Sequence, residues 1–241
     1  MLKPRSPMKS VLRKCGVELK RFTFGLDLRE DLKMLHAERQ PKVIFDIGAN
    51  EGQTALSLHE LFPEARLYSF EPSSRVFVKL KQNVANYSNI TPVQAAMGSK
   101  EGRVALKITN SSVMSSLLTY QRPNGVDKVI EEEEVAVRTI AAFCQENKIE
   151  RIDVLKIDTQ GFDLEVLRGA EPLLKAHRVG SILCEVNCVP MYEGQAWFHD
   201  IVAFLASCGI QFCGLYGINR ETDRFMHWAD SLYIDPKFSQ K

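Results

Sequence analysis

The segment Val43-Ile44-Phe45-Asp46-Ile47-Gly48-Ala49-Asn50-Glu51-Gly52-Gln53-Thr54 constrains the fold most. An apolar strand runs into a loop with two glycines four positions apart, and Gln53–Leu61 then has helical spacing. The same alternation continues along the chain. Arg66–Phe70 reads as a strand, Arg75–Val84 as a helix and Ile90–Ala96 as a third strand. Thr139–Asn147 reads as a helix and Ile152–Ile157 as a strongly apolar strand. Asp163–Leu174 is a helix, Ile182–Val186 a strand and Trp197–Cys208 a helix. Ile210–Tyr216 and Ser231–Ile234 close the series. Strands alternating with helices predict an α/β fold: a doubly wound, mainly parallel sheet with helices on both faces. The last strand follows a turn around Gly217–Arg224 and is expected to run antiparallel. Between Lys100 and Val137 the pattern changes to short strands and turns, with Pro123-Asn124-Gly125 as a turn signal.

Charge divides the chain. Its 241 residues carry 31 basic and 30 acidic side chains. Residues 1–21 hold seven of the basic residues (Lys3, Arg5, Lys9, Arg13, Lys14, Lys20, Arg21) and one acid, Glu18, which leaves the remainder net acidic. Two regions are therefore expected: a basic, helix-prone extension over 1–40 and one domain over 41–241. The near-neutral total argues against a dedicated nucleic-acid binder. No apolar run approaches the roughly 18 residues that span a bilayer, and charges interrupt the N-terminus where a signal peptide would need an apolar core. A cytoplasmic protein with no stable membrane insertion is the expectation. The six cysteines form no CxxC pair and read as reduced thiols, with spacings unsuited to zinc. The basic arm reads as a tail or a homo-oligomer contact, with anionic lipid or polyphosphate as other uses.

The glycine loop lacks the GxGxxG pattern that seats a pyrophosphate on a helix N-terminus. Asp46 precedes its first glycine, and a carboxylate there repels a pyrophosphate but attracts an ammonium group. Glu71 ends the second strand, 23 residues after Gly48, where an acid can accept hydrogen bonds from ribose hydroxyls. Together these point from a nicotinamide cofactor to S-adenosylmethionine. A plain βα turn, with Glu71 as a helix N-terminal charge, is the bland alternative.

At this point the sequence resembles the FkbM family of S-adenosylmethionine-dependent methyltransferases. The resemblance rests on four segments: Phe45–Gly52; Ser69-Phe70-Glu71-Pro72; Ser115-Ser116-Leu117; and Asp153–Ala170, which contains Lys156-Ile157-Asp158-Thr159-Gln160-Gly161-Phe162-Asp163. It spans about residues 42–190. It implies a class I methyltransferase fold with a seven-stranded sheet, and methyl transfer, usually to oxygen, on small molecules, sugars or glycans. It also implies that Asp46, Gly48, Asn50 and Gly52 line the methionine end of the cofactor, that Glu71 meets the ribose, and that Ala95 or Ala96 lies near the adenine. Asp163 stands where many members carry Glu.

Lys156 and Asp158 alternate onto one side of their strand. A Lys two residues from an Asp in a half-buried strand is costly unless the two pair or meet a substrate. Asp158 is the candidate general base, Lys156 its positioner or a stabiliser of the developing alkoxide, and Glu185 a second carboxylate. With Asn187, Asp158 and Glu185 offer oxygen ligands for a divalent cation such as Mg²⁺. A structural ion pair for Lys156 and Asp158, and a cap for Glu185, are the competing readings. His199 and His227 are weaker candidates for a base, and His177 is expected to bond helix-end carbonyls. Tyr192, Trp197 and Phe198 read as acceptor-pocket walls or as core. The acceptor is expected to be a small molecule or carbohydrate. The alternatives are an NAD(P)-linked oxidoreductase and a non-catalytic binding module on the same fold.

Overall fold

The computed structural model describes residues 23–121, 128–220 and 224–238, together with Lys14 and Cys15. The turn at Pro123-Asn124-Gly125 and most of the basic segment lie outside the described residues. The strands are β1 (Val43–Ile47), β2 (Arg66–Phe70), β3 (Ile90–Val93), β4 (Ala96–Met97), β5 (Gly102–Thr109), β6 (Val129–Arg138), β7 (Ile152–Ile157), β8 (Val179–Asn187), β9 (Gln211–Tyr216) and β10 (Trp228–Ile234). The helices are α1 (Leu28–Leu35), α2 (Gln53–Leu61), α3 (Ser74–Asn83), α4 (Ile140–Glu146), α5 (Asp163–Gly169), α6 (Glu171–Lys175) and α7 (Phe198–Ser207).

Seven strands form one sheet in the order β3-β2-β1-β7-β8-β10-β9. Pairing is parallel from β3 through β8, while β10 runs antiparallel to both β8 and β9. Strands β1 and β7 are buried along their whole length, as expected where helices cover both faces of a parallel sheet. Alternation sends Phe45, Ile47, Leu155, Ile157 and Ile182 to one face, packed with Phe143, Val166, Leu167 and Leu205 from the helices. Ile44, Leu67, Val154, Leu183 and Leu232 face the other way, onto Leu32, Ala55, Leu58 and Leu80. Each Val, Leu, Ile or Phe among them that is fully buried contributes roughly 1.5–3 kcal/mol of transfer free energy.

Helix α1 belongs to this packing. Its Asp31 is buried, accepts a hydrogen bond from the Tyr216 hydroxyl at 2.7 Å and caps the Gly25 amide at 2.6 Å.

The stretch expected as one strand over Ile90–Ala96 is divided. The Ala95 amide donates to Val93 O at 3.1 Å, and this turn takes the chain out of the main sheet. Ala96–Met97 then pairs in parallel with β6, in a three-stranded sheet of order β4-β6-β5. Where short strands were expected between Lys100 and Val137, β5 and β6 form a long antiparallel ribbon. Glu131–Glu134 lie on it largely in solvent, with Glu134 paired to Arg103 and Glu133 bonded to Ser74. His177 meets a carboxylate rather than the expected carbonyls: its Nδ1 lies 3.0 Å from Asp235 Oδ2. No helix among the described residues is long and apolar enough to cross a membrane.

Candidate active site

The carboxyl ends of β1, β2, β7 and β8 meet at a cavity of about 340 Å³. The glycine loop forms one rim. The Gly48 and Ala49 amides both donate to Phe70 O, at 3.0 and 2.9 Å, so the loop is fastened to the end of β2. Gly48 has φ +75°, and a Cβ there would lie 1.9 Å from the Asp158 carbonyl oxygen. Glycine is therefore required for the ends of β1 and β7 to approach. Gly52 has φ +97°, and its missing Cβ faces Leu80 of α3 and Val84 just after it rather than the cavity. Of the loop positions proposed for the cofactor, Gly48 and Asn50 line the cavity, while Asp46 and Gly52 lie behind it.

Glu71 and Ala96 also line it, with Ala95 and Met97 beside Ala96. The Glu71 carboxylate accepts from the Asn50 amide at 3.0 Å and from the Ser73 amide at 2.9 Å, one on each oxygen. Burial raises Glu71 to about 7, against the opposing effect of those two amides. The serine segment Ser112–Leu117 covers the cavity from the β5–β6 side, and the Ser112 hydroxyl lies 3.4 Å from Asn50 Oδ1.

The second group of residues converges on Lys156. Its Nζ lies 3.3 Å from Asp46 Oδ1, 3.5 Å from Asp158 Oδ2 and 3.3 Å from Gly48 O. Burial alone would lower this ammonium, but Asp46 and then Asp158 hold it above its ordinary value. Asp46 is fully buried, and burial pushes its carboxyl up despite Lys156. The β7–α5 loop is held by Asp163, which accepts from the Thr159 amide at 2.8 Å, the Thr159 hydroxyl at 3.0 Å and the Gly161 amide at 3.0 Å. The acid at this position therefore folds the loop and does not line the cavity.

Lys156, Asp158 and Glu185 form a wall between the first cavity and a second of about 410 Å³. The second is completed by Leu28, Ser57, Gly217 and Asp230. Asp230 stands opposite Glu185 in the antiparallel register, and burial together with Asp158 raises it.

Two residues outside the expected catalytic group bear on this wall: Gln160, which lines the first cavity, and Tyr192, which lines neither. The Gln160 amide bridges Asp158 and Glu185, and the Tyr192 hydroxyl bonds Gln160. An uncharged amide between acidic positions 158, 163 and 165 was the available signal for Gln160. Tyr192, 32 positions away, had none beyond its aromatic character. His199 is largely exposed beside Asp200, His227 is buried, and neither lines the two cavities.

The same bridge bears on the divalent cation considered for Asp158, Glu185 and Asn187. An N–H donor occupies the gap between the two carboxylates, which is the reverse of what a cation needs. No group of three metal-binding side chains converges among the described residues. The residues present do not fit Mg²⁺.

They do fit S-adenosylmethionine. A carboxylate pre-oriented by two amides stands at the end of β2, small apolar side chains follow β3, and the glycine loop borders both. Residues 46–212 match the methyltransferase FkbM domain. The chain belongs to the FkbM methyltransferase family. As a family member it is an S-adenosylmethionine-dependent methyltransferase, and the oxidoreductase alternative is set aside.

Among its relatives, the 2-O-methyltransferase NoeI of Sinorhizobium fredii is 25% identical over 81% of this chain and 84% of its own length. The hexuronic acid methyltransferase AglP of Haloferax volcanii is 23% identical over 64% of this chain and 59% of its own. Among solved structures, magnesium protoporphyrin IX methyltransferase of Synechocystis PCC 6803 with bound SAM superposes with a TM-score of 0.48. It is 13% identical, and the match covers 85% of this chain and 76% of that one.

Proposed function

We propose that the protein methylates a hydroxyl group of a carbohydrate, with Asp158 as the proton acceptor. The observation that carries this reading is the place of Asp158. Its carboxylate is partly exposed, ion-paired to Lys156, and on the wall common to both cavities. Relatives described as a 2-O-methyltransferase and a hexuronic acid methyltransferase support a sugar hydroxyl as the acceptor.

S-adenosylmethionine, when bound, supplies an electrophilic methyl group on a sulfonium. Glu71 would hold the ribose hydroxyls, Asn50 and the Gly48 loop the amino-acid end, and Ala95, Ala96 and Met97 the adenine. Asp158 takes the proton from the acceptor hydroxyl as its oxygen becomes the nucleophile. Lys156, 3.5 Å away, keeps the Asp158 carboxylate aimed. Its second carboxylate partner, Asp46, and the Gly48 carbonyl prevent the ammonium from swinging away. The serine segment Ser112–Leu117, which lines the cofactor cavity, would shield the reacting centre from water.

The test is an assay of S-adenosylhomocysteine release with a panel of neutral hexosides, 6-deoxyhexosides and hexuronides. Asp158→Asn is expected to slow turnover about 100-fold or more, with the Kd for S-adenosylhomocysteine within about threefold of the parent. Unchanged turnover removes Asp158 as the base. No turnover on any glycoside removes carbohydrate as the acceptor class.

A further inference from the structure

Four parts of the chain meet at Gln160. Its Nε2 donates to Asp158 Oδ1 at 2.7 Å and to Glu185 Oε2 at 2.9 Å. Its Oε1 accepts from the Tyr192 hydroxyl at 2.7 Å. Its backbone carbonyl accepts from the Ser116 hydroxyl, also at 2.7 Å. Both amide hydrogens and the amide oxygen are therefore engaged. The orientation follows from charge, since a reversed amide would set its oxygen against two carboxylates.

The backbone is as fixed as the side chain. Gln160 has φ +54°, in the left-handed region that a residue of this kind enters only when its surroundings hold it there. Gly161 follows at φ +92°, with Tyr192, Gln195 and Leu118 within about 3.3 Å of where a Cβ would stand. Tyr192 is buried and packs edge-on against Tyr120. Burial, and next the charge of Glu185, hold its phenol above its ordinary range, so it stays protonated and can donate.

We propose that Gln160, oriented by Tyr192, is a positioning residue for methyl transfer that holds the Asp158 and Glu185 carboxylates as a fixed pair at the wall between the two cavities. This rests on Asp158 being the proton acceptor. Two carboxylates this close repel, and unless donors serve both, one takes a proton or turns away. Gln160 supplies one charge-assisted hydrogen bond to each without adding charge.

The surrounding groups make that service necessary. Burial pushes the Glu185 carboxyl well above its ordinary value, and Asp158, Asp163 from α5 and Asp230 from β10 add to it. Lys156 opposes them, but its ammonium is shared with Asp46 and the Gly48 carbonyl. Through Ser116, the segment that covers the cofactor cavity is tied to the same residue.

The experiment uses two variants of the full chain, Gln160→Leu and Tyr192→Phe, with S-adenosylhomocysteine bound. The Glu185 carboxyl carbon is followed by ¹³C NMR from acid to alkaline pH. Losing the amide donor is expected to raise the Glu185 midpoint by about half a unit or more in Gln160→Leu, and by less in Tyr192→Phe. On the glycoside of highest turnover, Gln160→Leu is expected to lower kcat about tenfold or more, with the acceptor KM within about threefold.

An unmoved Glu185 midpoint in a folded Gln160→Leu protein overturns the proposal, as does unchanged kcat. If Gln160→Leu does not fold, Tyr192→Phe, which removes one hydroxyl, decides by the same two measurements. Failure of Asp158 as base is a separate result, seen as Asp158→Asn retaining turnover. Failure of the present inference is Asp158→Asn losing turnover while Gln160→Leu keeps both its turnover and its Glu185 titration.

Discussion

The Lys156 ammonium lies 3.3 Å from the carboxylate of Asp46, on the adjacent strand at the same register position, and neither group is more than slightly exposed. Removing one member of such a pair leaves the other charged and buried. Lys156→Met is expected to lower stability by about 3–5 kcal/mol. Adding Asp46→Asn to Lys156→Met should recover part of that loss. Urea unfolding of the two single variants and the double variant closes the cycle. Additive losses would show that the two groups do not interact.

Gly48→Ala places a methyl group on the Asp158 carbonyl. The chain must open between β1 and β7, and alanine must also adopt φ +75°. A stability loss of about 1–3 kcal/mol is expected from backbone strain of this kind. S-adenosylhomocysteine affinity should fall about tenfold or more, because the displaced loop also carries Asn50. Isothermal calorimetry measures the second effect, and retained affinity would show that the loop accommodates the methyl group.

Glu71 should make cofactor binding pH-dependent near neutrality. Its carboxyl is raised to about 7 in the folded protein, first by burial. The folded state therefore holds this proton more tightly than the unfolded chain does. Stability attributable to Glu71 is complete below its unfolded value near 4.5 and is lost as pH rises to about 7. Ribose hydroxyls donating to the carboxylate favour its ionised form, so binding expels the proton. Affinity for S-adenosylhomocysteine should rise from pH 6 to 8, with release of about half a proton at pH 7. Calorimetry in buffers of different ionisation enthalpy counts that proton. Glu71→Gln should bind more weakly and show no such release.

Asp163 accepts from the part-buried amide of Thr159 and the buried amide of Gly161. Asp163→Ala leaves both donors without an acceptor, at about 1–3 kcal/mol each. Asp163→Asn keeps one acceptor oxygen and should cost less. Because the loop carries Asp158 and Gln160, loss of turnover is expected to follow loss of stability across these variants. An alanine variant as stable as the parent would mean that water replaces the carboxylate.

The main sheet could be read from the sequence because its strands are buried on both faces: Val43–Ile47 and Ile152–Ile157 carry their apolar character locally. Ala96 and Met97 could not be assigned to a second sheet, since the turn at Val93–Ala95 redirects the chain without a change in composition. The long strands β5 and β6 were obscured because both faces of Glu131–Glu134 meet solvent or polar partners, which removes the alternation. Asp46 was placed at the cofactor by motif, and its ion pair with Lys156 became visible only in the register between β1 and β7. Gln160 and Tyr192 depend on a contact across 32 positions, and no periodicity records such a contact.

The antiparallel β10 lies between β8 and β9, and it brings Trp228 and Asp230 to the cavity walls. During synthesis from the N-terminus, β8 must wait for a neighbour made more than 40 residues later, and the second cavity lacks a wall until then. A nascent chain that already has its glycine loop and Glu71 is thus still open where the acceptor and Asp158 would meet. Trp228 lines the cofactor cavity as well, so both cavities gain their complete walls only once β10 has paired with β8.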